Sequence, residues 1–325
     1  MQTIGTPWMW AVFTVVVLAM LAVDLLVGGG KRHRVSTREA ATWSVVWVAV
    51  SLAFGAGLWW YLHGITGAEV ARQTGLEFLT GYLIEKSLAV DNVFLWLMLF
   101  SAFGVPVDLQ RRVLLYGVLG AIVMRTVMIF AGAALIVKFH WILYFFGAFL
   151  VFTGIKMFWF AEEEVDLEKN RVVRYLRRHM NITTRFHGES FFVVENGVRY
   201  ATPLFLALVM VEVTDLVFAV DSIPAVFAIT TDPFVVLTSN VFAILGLRAM
   251  YFLLGDAADR FSLLKYGLAM VLMFIGVKML LIDVYKIPVG FSLAVVATLI
   301  GASMWLSLKH EAKQRAEAQS FGPGD

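Results

Sequence analysis

The sequence predicts an all-α polytopic membrane protein of about nine transmembrane helices, containing two inverted three-helix repeats. Three observations lead there. The chain of 325 residues is 60% hydrophobic and only 15% charged, whereas a soluble domain is nearer half apolar and a quarter charged. Nine apolar runs are long enough to cross a bilayer, which takes about 20 residues at about 1.5 Å each: 8–27, 41–62, 76–103, 112–137, 141–160, 202–229, 234–254, 262–283 and 288–308. Finally, two acid-bearing stretches inside those runs look like copies of one another.

The runs divide the chain. Residues 1–70 hold two N-terminal spans, 71–160 the first three-helix unit, 161–201 a loop, 202–283 the second unit, and 284–325 the last span with its tail. The first run has no basic segment before it and no small-residue cleavage site, so it reads as a retained span. Cations alternate between loops. Lys31, Arg32, Arg34 and Arg38 follow the first span, Arg111 and Arg112 the third, and Lys169, Arg171, Arg174, Arg177, Arg178, Arg185 and Arg199 the fifth. The intervening loops are poor in Lys and Arg, which puts the amino terminus outside and the carboxyl terminus in the cytoplasm. The tail beyond Lys309 is charged and reads as unstructured.

Composition also excludes functions. A net charge of +2 offers no basic field for nucleic acid. The absence of cysteine removes disulfides, thiolate metal sites and cysteine nucleophiles. No Ser-His-Asp set, phosphate loop or paired-His motif supports an enzyme. The 161–201 loop contains an acidic run at Glu162, Glu163 and Glu164, a basic amphipathic segment Arg171–Met180, and a hairpin over Phe191–Tyr200 turning at Asn196-Gly197. Its cations answer an anionic inner leaflet; docking of a protein partner is the other reading.

The first acidic stretch is Glu85-Lys86-Ser87-Leu88-Ala89-Val90-Asp91-Asn92, the second Asp215-Leu216-Val217-Phe218-Ala219-Val220-Asp221-Ser222, with Glu212 just ahead. Each sets two acids six residues apart and follows the second with a small polar residue. Arg125 in the fourth span has a counterpart in Arg248 of the seventh, and Gly154-Ile155-Lys156-Met157 in the fifth matches Gly276-Val277-Lys278-Met279 in the eighth. Two units of three spans in one order start from opposite sides of the membrane, the layout that places a transporter's site at the midplane.

Carboxylates within a bilayer are costly, so they default to function. Glu85, Asp91, Glu212, Asp215 and Asp221, with Asn92, Ser222 and Thr214 as neutral oxygens, form a set without Cys or nearby His. Oxygen-only ligands suit hard divalent cations, Mn²⁺, Mg²⁺ or Ca²⁺, and not Zn²⁺ or Cu⁺. If these five acids shared one cavity with Lys86, Arg125 and Arg248, two negative charges would remain, matching one divalent cation or two protons. Structural pairing of acids with the two arginines is the competing reading. Positions six apart differ by about 240° on a regular helix, so aiming both acids of a stretch at one ligand calls for local unwinding, for which Pro224 supplies a cause. Asp24, in a third Ala-Val-Asp, reads as structural, and Lys156 and Lys278 as snorkelling cations. Trp8, Trp10, Trp59, Trp60, Trp141 and Trp159 fit interfacial belts.

The two stretches, with Phe218-Ala219-Val220-Asp221-Ser222-Ile223-Pro224-Ala225 and Ser239-Asn240-x-Phe242-Ala243-Ile244-Leu245-Gly246-Leu247-Arg248, resemble the signatures of the TerC family, from the first span to about residue 290. The resemblance implies a bacterial inner-membrane protein linked to manganese efflux and, by the family's historical name, to tellurium resistance. It carries the family's acids onto Glu85, Asp91, Glu212, Asp215 and Asp221. A tellurite oxyanion is not drawn to a carboxylate cluster, so manganese is the better match. The expected function is a manganese exporter, coupled to protons or to the membrane potential. The alternative is a metal sensor or delivery partner without net flux.

Overall fold

The computed structural model describes residues 3–29, 36–139, 141–159, 171–195, 197–255 and 263–320. It is built from α1 (Pro7–Gly29), α2 (Thr37–Thr66), α3 (Ala68–Ala102), α4 (Val107–Lys138), α5 (Ile142–Trp159), α6 (Arg171–His179), β1 (Phe192–Glu195), β2 (Val198–Ala201), α7 (Pro203–Phe227), α8 (Pro233–Ile244), α9 (Leu247–Gly255), α10 (Leu264–Leu280) and α11 (Val289–Ser320). Each apolar run becomes helix because a helix satisfies every backbone group internally where no water can. Among the described residues seven segments are long and apolar enough to cross a membrane: Pro7–Asp24, Thr37–Thr66, Val107–Lys138, Ile142–Trp159, Pro203–Phe227, Pro233–Gly255 and Val289–His310. The other two expected spans differ for identifiable reasons. α3 carries Glu69, Arg72, Glu77, Glu85, Lys86 and Asp91, and α10 is only 17 residues long.

α8 is the centre of the molecule, with all of its residues buried. Asp232 starts it, accepting hydrogen bonds from the amides of Phe234 (2.8 Å) and Val235 (3.4 Å), a standard N-cap. The same carboxylate holds the amino-terminal segment through the Thr3 hydroxyl (2.8 Å) and the Ile4 amide (2.6 Å). Aromatic rings from three helices, Phe13 of α1, Phe54 of α2 and Phe78 of α3, close around Phe234 and Phe242 of α8, with Phe54 4.5 Å from Phe242. α5 and α10 pack antiparallel on glycine. A Cβ on Gly276 would stand 2.7 Å from the Gly147 carbonyl, and one on Gly154 would stand 2.8 Å from that of Ala269. Small residues let backbones approach in this way where lipid offers no hydrophobic drive.

The helix break lies elsewhere than expected. α7 runs through Pro224, because the proline sits in its last turn and costs little where the ladder is ending. The interruption falls instead in the seventh run, between α8 and α9. There Gly246 adopts φ +89°, and a Cβ would meet the Trp47 ring at 2.7 Å. Only glycine takes that conformation in that space.

The 161–201 loop forms the basic helix α6 and an antiparallel hairpin in which Glu195 pairs with Val198. Gly197 has φ +78°, as a tight hairpin turn requires; Asn196 and the acidic run 162–164 lie outside the described residues. The tail corrects its expectation. α11 continues past Lys309 to Ser320, through Glu, Ala, Lys, Gln and Arg, which favour helix.

Candidate functional site

Arg125 projects from α4 into the space between α3, α7 and α8. Its guanidinium pairs with Glu85 of α3 and with Asp215 of α7, the latter at 3.2 Å. Two neutral groups complete its shell: it donates to the Ser222 hydroxyl at 3.1 Å and to the Asn240 side-chain oxygen at 3.2 Å. Asn92 closes the ring by donating to Asp215 at 3.0 Å. All six residues are essentially shut off from solvent, with none above 1% exposed. A planar guanidinium with five donors is the side chain suited to bridging two carboxylates.

Helical geometry explains the membership. Seven residues advance a helix to within about 20° of the starting direction. Glu85 and Asn92 therefore share a face of α3, and Asp215 and Ser222 share the corresponding face of α7. The first acid of each stretch and the polar residue after the second acid meet at Arg125. No unwinding is needed.

The other expected groups are placed apart. Asp221 points away from the cluster and accepts a hydrogen bond from Thr153 of α5 at 3.2 Å, with Lys156 in electrostatic range. Glu212 is half-buried, near Asp215, and lies over Gly120 so closely that a Cβ there would stand 2.0 Å from its Oε1. Asp91 belongs to α3, but its side chain is outside what the structure describes. Lys86 donates to the carbonyl of Ala243 at 3.1 Å, capping the carbonyl end of α8 just before the break. Arg248 pairs with Asp24 of α1 at 2.8 Å and donates to that residue's carbonyl at 2.5 Å. The condition of the charge count, one cavity shared by five acids and three cations, is not met by the described side chains. Glu85, Asp215 and Arg125 meet, and Lys86, Arg248 and Asp221 have other partners. Lys278 is also corrected, since it is buried and does not snorkel.

Asn240 is the residue that the sequence reading passed over. It stands in the quoted stretch Ser239-Asn240-x-Phe242 and is a primary amide in the middle of a fully buried helix whose other polar residues are only the hydroxyls of Thr238 and Ser239, an anomaly that could have drawn attention to it.

Around Arg125 three polar atoms are left over. Glu85 Oε2, Asn92 Oδ1 and Asn240 Nδ2 are buried without a hydrogen-bond partner among the described residues. Two of the three are oxygen acceptors. With two carboxylates on one guanidinium, the cluster keeps one net negative charge. Among the described residues no three carboxylates or histidines converge closely enough to hold a metal ion. In this arrangement Arg125 occupies the position that a cation between Glu85 and Asp215 would take.

Residues 70–316 match the family described as integral membrane protein TerC family. A Salmonella typhi protein named as a candidate membrane-bound redox modulator, Alx, is 58% identical over 322 residues, covering 98% of this chain and 100% of its own. The Escherichia coli K12 protein of the same name is 58% identical over 320 residues, covering 97% and 99% respectively. An uncharacterised membrane protein of Myxococcus xanthus is 50% identical over 306 residues, covering 94% and 93%. No solved structure matches the chain.

Proposed function

The chain belongs to the TerC family of integral membrane proteins, and from there we propose that it is an inner-membrane carrier of divalent metal, exporting Mn²⁺ past Glu85, Asp215 and Arg125. The carrying observation is the pair of buried, unpartnered oxygens, Glu85 Oε2 and Asn92 Oδ1, beside a carboxylate shared with Arg125. A buried acceptor without a donor is costly, and a hard cation satisfies such oxygens. Metal enters by displacing the guanidinium from at least one carboxylate. Two arrangements then alternate, one closed on Arg125 and one closed on metal, and the difference in affinity between them drives the change. Glu212 and Asp221 stand on the route to and from this point, and Mg²⁺ and Ca²⁺ are the competing cargoes.

The fold supports carriage. In the alignment set by Gly154 and Gly276, Gly147 corresponds to Ala269. Gly147 meets Gly276 while Gly154 meets Ala269, the reciprocal contact expected of a two-fold axis between two units. We therefore read α3–α5 and α7–α10 as inverted repeats, with α3 and α10 as two further spans, nine in all. The broken helix α8–α9 fits the discontinuous helices found at transporter sites. The alternation of cation-rich loops supports an amino terminus on the periplasmic side and a carboxyl terminus in the cytoplasm. A chain without cysteine has no thiol for redox work of its own; movement of a redox-active metal would link it to the name its relatives carry.

A metal sensor or delivery protein is the second reading. It is favoured by the folded α6–hairpin module, whose Arg171, Arg174, Arg177 and Arg178 are exposed for a partner. Mn²⁺ flux into proteoliposomes decides. Wild type should pass many ions per protein, and folded Asp215→Asn and Asp91→Asn variants should pass almost none. A folded wild type that binds Mn²⁺ but gives no flux overturns the carrier reading and leaves the sensor.

A further inference from the structure

A cleft of 640 Å³ opens at the opposite end of α3 from its carboxyl terminus, bounded by the ends of α4, α7 and α10 and the start of α11. Ile136, Leu143 and Phe227 form apolar walls, while Glu77, Thr230, Lys278 and Lys286 supply polar groups. Lys278 is the anomaly. Its side chain is 8% exposed, and its Nζ has no hydrogen-bond partner among the described residues. A snorkelling lysine keeps its head in water, and this one does not. Glu77 lies within electrostatic range, yet no ion pair joins the two, and Glu77 accepts a hydrogen bond from Gln73 at 2.8 Å. A buried ammonium without a partner is costly unless an anion reaches it.

The lining as a whole is balanced, because Glu77 and Asp283 offset Lys278 and Lys286. A plain anion or a plain cation gains nothing from that balance. A molecule with both charges does. Val137, which also lines the cleft, is 70% exposed on the outside of the bundle, so the cleft is continuous with a lipid-facing surface. We propose that this cleft is a ligand site for a phosphoethanolamine group, phosphate toward Lys278 and Lys286, ammonium toward Glu77 and Thr230. A lysine is a compact point charge on a flexible stem, able to turn to a phosphate. A primary ammonium has three hydrogens to give to carboxylate and hydroxyl oxygens. The group can arrive on a phospholipid or on soluble glycerophosphoethanolamine. This site is independent of the metal reading.

The test places the full chain in phosphatidylcholine nanodiscs doped with phosphatidylethanolamine and counts retained lipids by native mass spectrometry. Wild type should retain phosphatidylethanolamine about tenfold over phosphatidylcholine, an affinity ratio readily resolved. Lys278→Met should lose retention of that lipid. Glu77→Met should narrow the preference between the two lipids, because a trimethylated ammonium cannot donate a hydrogen bond and the variant removes the charged one of the two acceptors, Glu77 and Thr230, that tell them apart. In detergent without lipid, thermal stabilisation by glycerophosphoethanolamine that Lys278→Met abolishes would assign a soluble ligand to the same site. Stabilisation by the lipid alone would assign the headgroup. Equal retention of the two lipids by wild type, with no stabilisation by the soluble compound, overturns the proposal, as does a folded Lys278→Met variant that binds like wild type.

Discussion

Arg125 and Arg248 read as counterparts in the sequence, and the structure gives them different work. Arg125 sits at the heart of the bundle, 1% exposed, with two carboxylates, a hydroxyl and an amide around it. Arg248 opens α9 just after the break and pairs with one acid, Asp24, whose side chain is 17% exposed, from a helix outside both units. The difference follows from the break. Because α8 ends at Ile244 and Gly246 redirects the chain, Arg248 leaves the line that Asn240 and Arg125 share. One unit keeps a straight helix and puts its arginine between acids. The other breaks its helix and sends its arginine to α1. Two stretches that share only short motifs thus yield one candidate binding centre and one structural clasp.

The largest expected effect is at Arg125. Arg125→Met leaves Glu85 and Asp215 facing each other in a dry interior, and breaking a buried pair by removing one partner costs about 3–5 kcal/mol. Thermal unfolding in detergent should show a drop of that order. Arg125→Lys should recover part of it, since an ammonium replaces the charge but not the planar fork. A folded Arg125→Met protein with unchanged stability would mean that the carboxylates have another counter-charge, and the contrast between the arginines would fail.

The second test addresses the break. Gly246→Ala forces an L side chain into φ +89° and against the Trp47 ring. Overpacking of this kind costs about 1–3 kcal/mol. The variant should also loosen the Arg248–Asp24 contact, because the turn that aims α9 is the turn being strained. Combined with Arg248→Met, it should therefore show less than additive loss. Strict additivity would separate the break from the fate of the arginine.

Much of this was readable from residue order, and the limits are physical. Apolar runs marked where the helices lie, because spanning length and backbone satisfaction leave little choice, but α3 starts at Ala68, before its run, and α11 continues to Ser320, beyond its run, on polar helix-forming residues. Pro224 was visible as a helix breaker, whereas Gly246 stood in a quoted motif without being read as one. Position within the helix separated them: proline is harmless in the last turn of α7, whereas glycine at positive φ accommodates Trp47. The six-residue spacing of the acids drew attention to a pair that a helix drives apart, while the seven-residue spacings Glu85–Asn92 and Asp215–Ser222 carried the face that meets Arg125. Which arginine meets which acid depended on packing between helices far apart in sequence. The pairing of Arg248 with Asp24 joins α9 to α1, and no local pattern announces it.

The smallest effect should come from that clasp. Arg248 and Asp24 keep side-chain exposures of 10% and 17%, so water partly compensates either group when its partner is lost. A hydrogen bond to a charged group contributes about 1.5–3 kcal/mol, and the lower end applies where solvent has access. Arg248→Met and Asp24→Asn should each lower stability modestly, and the double variant should lose less than the sum, giving a coupling energy of about 1 kcal/mol. The same cycle on Arg125 and Glu85 should give a coupling several times larger, since neither group there has water to fall back on. Flux should separate them further. Arg248→Met should carry Mn²⁺ at a rate close to wild type once expression is corrected, while Arg125→Lys, though folded, should not. If Arg248→Met stops flux as completely, then the broken helix and α1 belong to the moving part of the carrier, and the two arginines work as a pair after all.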